Sequence, residues 1–362
     1  MNSLAERIAG QIRAAGPLSV ADYMAICLFD PEDGYYTNRE PFGAAGDFVT
    51  APEVSQMFGE LVAVWLSEAW RAAGCPPEAT VAEVGPGRGT LMKDMARTLR
   101  RIAPDLCAGA GFALVEASPR LAAVQRATLA GAGPDFTWHD TLDSLPDAPL
   151  FIVGNEIFDA LPLRQFVKRD GRWLERAIGL GDNGGFIFGI GTATLAADAL
   201  PPGAASKPDG TVFEIAPVRE AMMAMIGARI ARRGGAGIFF DYGHLAPGFG
   251  DTFQAVRRHR GADVFGDPGQ ADLTSHVDFA ALARVAQAHG LQAEMSTQAE
   301  FLLGMGLLER AGRLGQAADE TAREKIASEV ERLAGPDQMG DLFKVLAVLP
   351  TGVDAPPFPG AS

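Results

Sequence analysis

Apolar residues near the N-terminus recur at helical spacing, with Leu4, Ile8 and Ile12 at i, i+4 and i+8 before Gly16-Pro17. That spacing predicts a short amphipathic helix over 4–15. Ser19 is placed to cap a second helix carrying Tyr23, Met24 and Leu28. From Gly34 to Ala51 no period survives, and a loop of that length reads as a lid. Helical spacing returns from Pro52 to Arg71, where Met57, Phe58, Leu61, Val64, Trp65 and Leu66 form a core stripe.

The pattern then changes. Thr80–Val84 suits a buried strand, glycines follow at 85, 87 and 89, and Leu91, Met92, Met95 and Leu99 turn helical again. Gly111–Glu116 and Phe136–Asp140 read as further strands ending in acid. Leu150 to Val153 is the most continuous apolar run, so it belongs in the sheet centre, with its polar end beside the first strand. Between 164 and 190 the period becomes alternation. Asp170-Gly171 and Asn183-Gly184 are hairpin signals, so an antiparallel insertion is expected at about 163–212. A Met-rich helix from Glu214 to Arg233 precedes a fifth strand at Gly237–Gly243. A helix over 279–289, strands at 291–296 and 342–349, and helices within 299–333 complete the chain.

Strands alternating with helices predict an α/β fold with a doubly wound, Rossmann-like sheet. The expected organisation is an N-terminal helical cap and lid over 1–76, the sheet domain over 77–350, and a tail over 351–362.

Composition narrows the function. The 362 residues include 31 basic and 45 acidic side chains, a net charge of −14. Such a surface repels a nucleic-acid backbone and attracts a basic protein segment. Cys27, Cys75 and Cys107 lack pairing or CxxC spacing, and the five histidines show no ligand spacing, so neither a disulfide framework nor a metal site is expected. No apolar run reaches membrane-spanning length, residues 1–16 lack a signal-peptide core, and Glu6 sits where a transit peptide would avoid acid, which reads as a cytoplasmic protein without membrane insertion.

The glycine turn carries the chemistry. The dinucleotide fingerprint fails because Thr90 stands where its last glycine belongs, and no Lys-Ser or Lys-Thr completes a phosphate loop. What remains is Glu83-x-Gly85-x-Gly87-x-Gly89, whose glycines permit positive φ and close approach of a ligand. This resembles the first motif of class I S-adenosylmethionine-dependent methyltransferases, in which the carboxylate of Glu83 would help hold the cofactor's cationic amino-acid end. Glu116, with Ala117 after it, ends the next strand where a carboxylate can accept two ribose hydroxyls; the alternative is a cap for the helix opening at Ser118-Pro119. Asp140 is placed where adenine would be reached.

The longer motifs are more specific. Gly46-Asp-Phe-Val-Thr-Ala-Pro-Glu-Val-Ser-Gln-Met-Phe-Gly-Glu60, Glu83 to Met92, Asn155-Glu-Ile-Phe-Asp-Ala-Leu-Pro162, Phe240-Asp-Tyr-Gly243 and Asp272-Leu-Thr-Ser-His-Val-Asp-Phe279 resemble the MidA family over nearly the whole chain. The resemblance implies a class I methyltransferase acting on protein arginine. Mitochondrial members of that family assemble respiratory complex I and methylate an arginine of a core subunit.

A guanidinium has an unperturbed pKa above about 12, so it needs carboxylates to orient it and spread its charge. Glu156 and Asp159 are the expected clamp, beside Asn155, and His276 with Asp278 is placed to orient or accept a proton. The bland alternatives are a polar turn that caps the next helix and a hydrogen-bonded loop histidine. Thr50, Pro52, Ser55 and Gln56 join the lid to its helix and are expected to close over the cofactor. Three functions stay open: arginine methylation, a scaffold that binds S-adenosylmethionine without turnover, and small-molecule methylation. Association of two copies through the helical additions is also open.

Overall fold

A computed structural model describes residues 3–38, 49–257 and 260–358. The chain divides into two compact units, each drawn from separated stretches: one from 1–48, 158–221 and 246–278, the other from 49–157, 222–245 and 279–362.

The second unit holds the predicted sheet. Seven of its strands lie in the order Leu291–Thr297, Phe343–Pro350, Gly235–His244, Leu150–Asn155, Thr80–Val84, Gly111–Val115, Phe136–His139. The last five run parallel to one another, and Phe343–Pro350 runs antiparallel to both of its neighbours. Leu150, Phe151, Ile152 and Val153 are fully buried, as a strand covered on both faces requires. The winding reverses between Thr80–Val84 and Leu150–Asn155, where Val84 pairs with Gly154. Such a switch point opens a crevice at the carboxyl ends of the strands.

Helix Gln56–Ala72 buries Met57, Phe58, Leu61, Trp65 and Leu66 in this unit's core, and Phe58 meets Phe240 edge-on at 4.9 Å. The single helix expected from Pro52 to Arg71 is two, Ala51–Val54 and Gln56–Ala72. Ser55 between them is extended, with φ −156 and ψ 140, and its hydroxyl accepts the Met57 N–H. A serine that satisfies an orphan amide favours restarting a helix over continuing one.

The first unit holds helices Ser3–Ala15 and Val20–Phe29, the latter capped by Ser19 as the sequence predicts. One of its sheets holds the antiparallel insertion, with strands Arg164–Arg169, Arg172–Leu180, Phe186–Thr194 and Val212–Ile215, joined by Leu18–Ser19. Asp170 and Gly171 turn the first hairpin with φ +50 and +74, the left-handed pair that a tight hairpin needs. Glu214 lies on a strand, paired with Gln165, and the helix opens only at Pro217. Proline at the first helical turn loses no hydrogen bond, whereas Val-Phe-Glu-Ile suits an edge pairing. Of the segment read as a lid, Tyr35–Asn38 is helical; 39–48 lies outside the described residues.

Candidate active site

Gly85, Gly87 and Gly89 have φ of +63, +52 and +82. At Gly85 an added Cβ would lie 2.7 Å from Ile157 Cγ2, so both backbone conformation and space demand glycine. Helix Thr90–Ile102 follows without a side-chain cap from Gly89. Its Met92 amide instead donates to the carboxylate of Glu83, which reaches across from the end of its strand and is 2% exposed. The second carboxylate oxygen, Oε2, is buried with no partner. Burial holds this carboxyl well above its ordinary range, with the Met92 N–H opposing. An orphaned oxygen under the glycine turn fits a ligand that brings a cationic donor, which would favour the ionised carboxylate.

Glu116 stands just past Gly111–Val115, and its N–H donates to the carbonyl of His139 at 2.8 Å. Its Oε1 accepts the Ser118 N–H at 2.8 Å, so it does serve the helix start. Its Oε2 accepts Gln125 Nε2 at 2.9 Å. The same Gln125 nitrogen donates to the Gly87 carbonyl at 2.9 Å, and Gln125 Oε1 accepts the Trp138 indole N–H at 3.0 Å. One amide thus ties the glycine turn, the acidic strand end and the next strand. Burial raises the Glu116 pKa, opposed by the Ser118 amide, Gln125 and Arg120. Ala117 and Asp140 are exposed at neighbouring strand ends. Sequence reasoning missed Gln125, which is fully buried on helix Pro119–Leu129 beside buried Leu121, Ala122 and Leu129. A polar residue on an apolar helical face was the available signal.

At the end of Leu150–Asn155, Glu156 has φ +53, a left-handed conformation costing a non-glycine residue about 1–2 kcal/mol. Its N–H donates to the Phe240 carbonyl at 2.8 Å, and its Oε1 accepts Asn155 Nδ2 at 2.9 Å. Asn155 Oδ1 is buried without a partner. Ile157 turns back beneath the glycines: a Cβ at Gly154 would lie 2.6 Å from its Cδ1. Asn155 and Glu156 therefore share a unit with the glycine turn, Glu83 and Glu116, whereas Asp159 and His276 belong to the other unit.

There Asp159 is 6% exposed, and its carbonyl accepts the Ser275 N–H at 3.2 Å and Arg219 Nη2 at 3.0 Å. The His276 N–H donates to Thr252 Oγ1 at 3.0 Å, and its carbonyl accepts Arg219 Nη1 at 2.9 Å.

The residues joining lid to helix have structural partners. Thr50 precedes Ala51–Val54 without a side-chain cap bond, and Pro52 is buried in its first turn. The Ser55 hydroxyl also donates to Glu329 Oε2 at 2.7 Å, and Gln56 Oε1 accepts Arg97 Nη2 at 3.2 Å. Glu53, which sequence reasoning passed over, accepts the Thr90 hydroxyl at 2.5 Å and so ties this helix to the glycine turn.

Residues 61–297 match the family described as "Putative S-adenosyl-L-methionine-dependent methyltransferase". The chain is 33% identical over 377 residues to "Protein arginine methyltransferase NDUFAF7 homolog, mitochondrial" of Drosophila melanogaster, covering 96% of this chain and 85% of that one. It is 33% identical over 369 residues to "Protein arginine methyltransferase NDUFAF7, mitochondrial" of Homo sapiens, covering 94% and 82%. Its fold is similar to a crystal structure of a "COG1565 superfamily member" from Burkholderia thailandensis bound to S-adenosyl-homocysteine, with a TM-score of 0.82, 29% identity, and coverage of 97% and 92%. The cytoplasmic expectation is overturned, because the relatives are named as mitochondrial. It rested on the lack of a secretion signal and of a spanning apolar run, and on Glu6 as a mark against a transit peptide; a single acidic residue does not exclude an organelle.

Proposed function

The chain belongs to the family of S-adenosylmethionine-dependent methyltransferases, and from that premise we propose that its methyl acceptor is an arginine side chain of a protein, on a core subunit of respiratory complex I whose assembly it supports. The observation that carries the reading is the Asn155-Glu156 turn. A carboxylate held in a strained conformation at the sheet's switch point, in the same unit as the glycine turn, is the recognition a guanidinium needs. The relatives named as protein arginine methyltransferases support it.

S-adenosylmethionine would supply, when bound, a sulfonium methyl group for a nitrogen nucleophile to take, with the thioether S-adenosyl-homocysteine as leaving group. Glu83 would hold its cationic end through the orphaned Oε2, the glycine turn would pass close to it, and Glu116, set by Ser118 and Gln125, would take its ribose hydroxyls. Ala117 and Asp140 would line the adenine side, and Thr50, Pro52, Ser55 and Gln56 the approach from the lid. Glu156 would hold the acceptor guanidinium, with Asn155 steering it; Asp159 would serve as a further acceptor-facing carboxylate, and His276 would orient or take up the proton released. Their shared contribution is alignment and exclusion of water.

The test is transfer of labelled methyl from S-adenosylmethionine to proteins of a lysate lacking this chain. Labelling of one protein, recovered as methylarginine and lost in Glu156→Gln, is the expected result. Cofactor binding without any labelling would replace the reading with the scaffold; label recovered only in small molecules would replace the acceptor.

A further inference from the structure

Arg219 is a 3%-exposed residue on helix Pro217–Arg233, and its guanidinium hydrogen-bonds two short segments. Nε and Nη2 donate to the Leu161 carbonyl at 3.2 and 3.0 Å, and Nη2 also donates to the Asp159 carbonyl at 3.0 Å. Nη1 donates to the His276 carbonyl at 2.9 Å, and Nη2 to Ser275 Oγ at 2.5 Å. A planar fork spreads its donors over carbonyls that a point-charge ammonium cannot span together. From the other side the His276 N–H rests on Thr252 Oγ1, which itself donates to Glu214 Oε2 at 2.5 Å. Glu214 in turn accepts Gln165 Nε2 at 2.7 Å.

We propose that Arg219 is a positioning residue for methyl transfer, fixing the segments that carry Asp159 and His276 relative to each other so that both side chains hold one geometry toward the acceptor. This rests on the reading of Asp159 and His276 as acceptor-facing groups. The hydrophobic effect cannot specify such a register, because it is non-directional; a buried charge with several fixed acceptors can.

The experiment uses the full chain as Arg219→Lys and Arg219→Ala, with two readouts. In the transfer assay both variants are expected to lose roughly 10²-fold in turnover, the scale of a misplacement of about 1 Å. The KM for S-adenosylmethionine should stay within about twofold, and millimolar methylguanidinium should restore part of the Arg219→Ala rate. In hydrogen exchange of Arg219→Lys, the Ser275 and His276 amides should exchange at least about tenfold faster than in wild type. Wild-type turnover in both variants, or a loss matched by an equal loss of cofactor binding and not restored by methylguanidinium, overturns the proposal. Unchanged exchange in Arg219→Lys overturns it as well. Absence of methyl transfer by the wild type refutes the proposed function instead.

Discussion

Replacing Gln125 with leucine keeps the volume of a fully buried side chain and removes its three hydrogen bonds, to the Gly87 carbonyl, Glu116 Oε2 and the Trp138 indole. Each abandoned group costs about 1–3 kcal/mol where water cannot reach it. Gly87, Glu116 and Trp138 are only partly buried, so the low end applies, and the loss should total about 2–4 kcal/mol of folding stability. The effect on binding is separable. Glu116 keeps the Ser118 N–H but loses one of its two anchors, and the glycine turn loses its tie to the neighbouring helix. Relaxing that preorganisation by about 1.4 kcal/mol weakens S-adenosyl-homocysteine roughly tenfold. Losing Gln125 also removes a bond that lowers the Glu116 pKa, so the weakening should grow as pH falls. Calorimetric titration with S-adenosyl-homocysteine, beside urea unfolding of the free protein, measures both. Wild-type affinity in a variant destabilised by the expected amount would refute the link from Gln125 to the cofactor; wild-type stability would refute the network itself.

Four further outcomes follow from the same geometry. Gly85→Ala forces a Cβ toward Ile157 at φ +63 and should cost about 1–3 kcal/mol and at least about tenfold in cofactor affinity, read by the same titration. Burial keeps Glu83 protonated above its ordinary range, so binding a cationic group should release a proton and tighten as pH rises; Glu83→Gln should flatten that slope, and an unchanged slope would assign it elsewhere. Asp94 is pushed up to about 6, first by burial, with Arg97 opposing and Glu60 adding. The folded chain then holds a proton that the unfolded chain has released, so the contribution of Asp94 to stability should fall as pH rises from about 4 to about 6 and then level off, beside the falls that the raised Glu83 and Glu116 add. Asp94→Asn should lack its own part of that fall, giving a shallower slope than wild type in urea midpoints taken across the range. At position 156 the usual residue order should invert: Glu156→Gly should be more stable than Glu156→Ala by about 1 kcal/mol because φ is +53, while both lose methyl transfer. Alanine proving the more stable would remove the claim of strain.

The sequence by itself determined what is local. An unbroken apolar run at 150–153 could satisfy its surface only in the middle of a sheet, and that is where it lies. Glycines at 85, 87 and 89 announced a turn no other residue would make, and Asp170-Gly171 announced its hairpin. Periodicity reports how much of a segment meets water and which backbone angles it can take, and those are properties of neighbours in the chain.

Which polar groups meet across the fold is another matter. Gln125 finds Gly87 across 38 positions, and Arg219 finds Asp159 across 60. Such partners are set by how helices pack on strands, and neither spacing appears in any local period. The left-handed Glu156 shares that origin: its backbone conformation is settled by the Phe240 carbonyl on its N–H, a contact formed only in the folded chain. Sequence located the glycine turn and the central strand, and tertiary packing decided which polar groups meet around them.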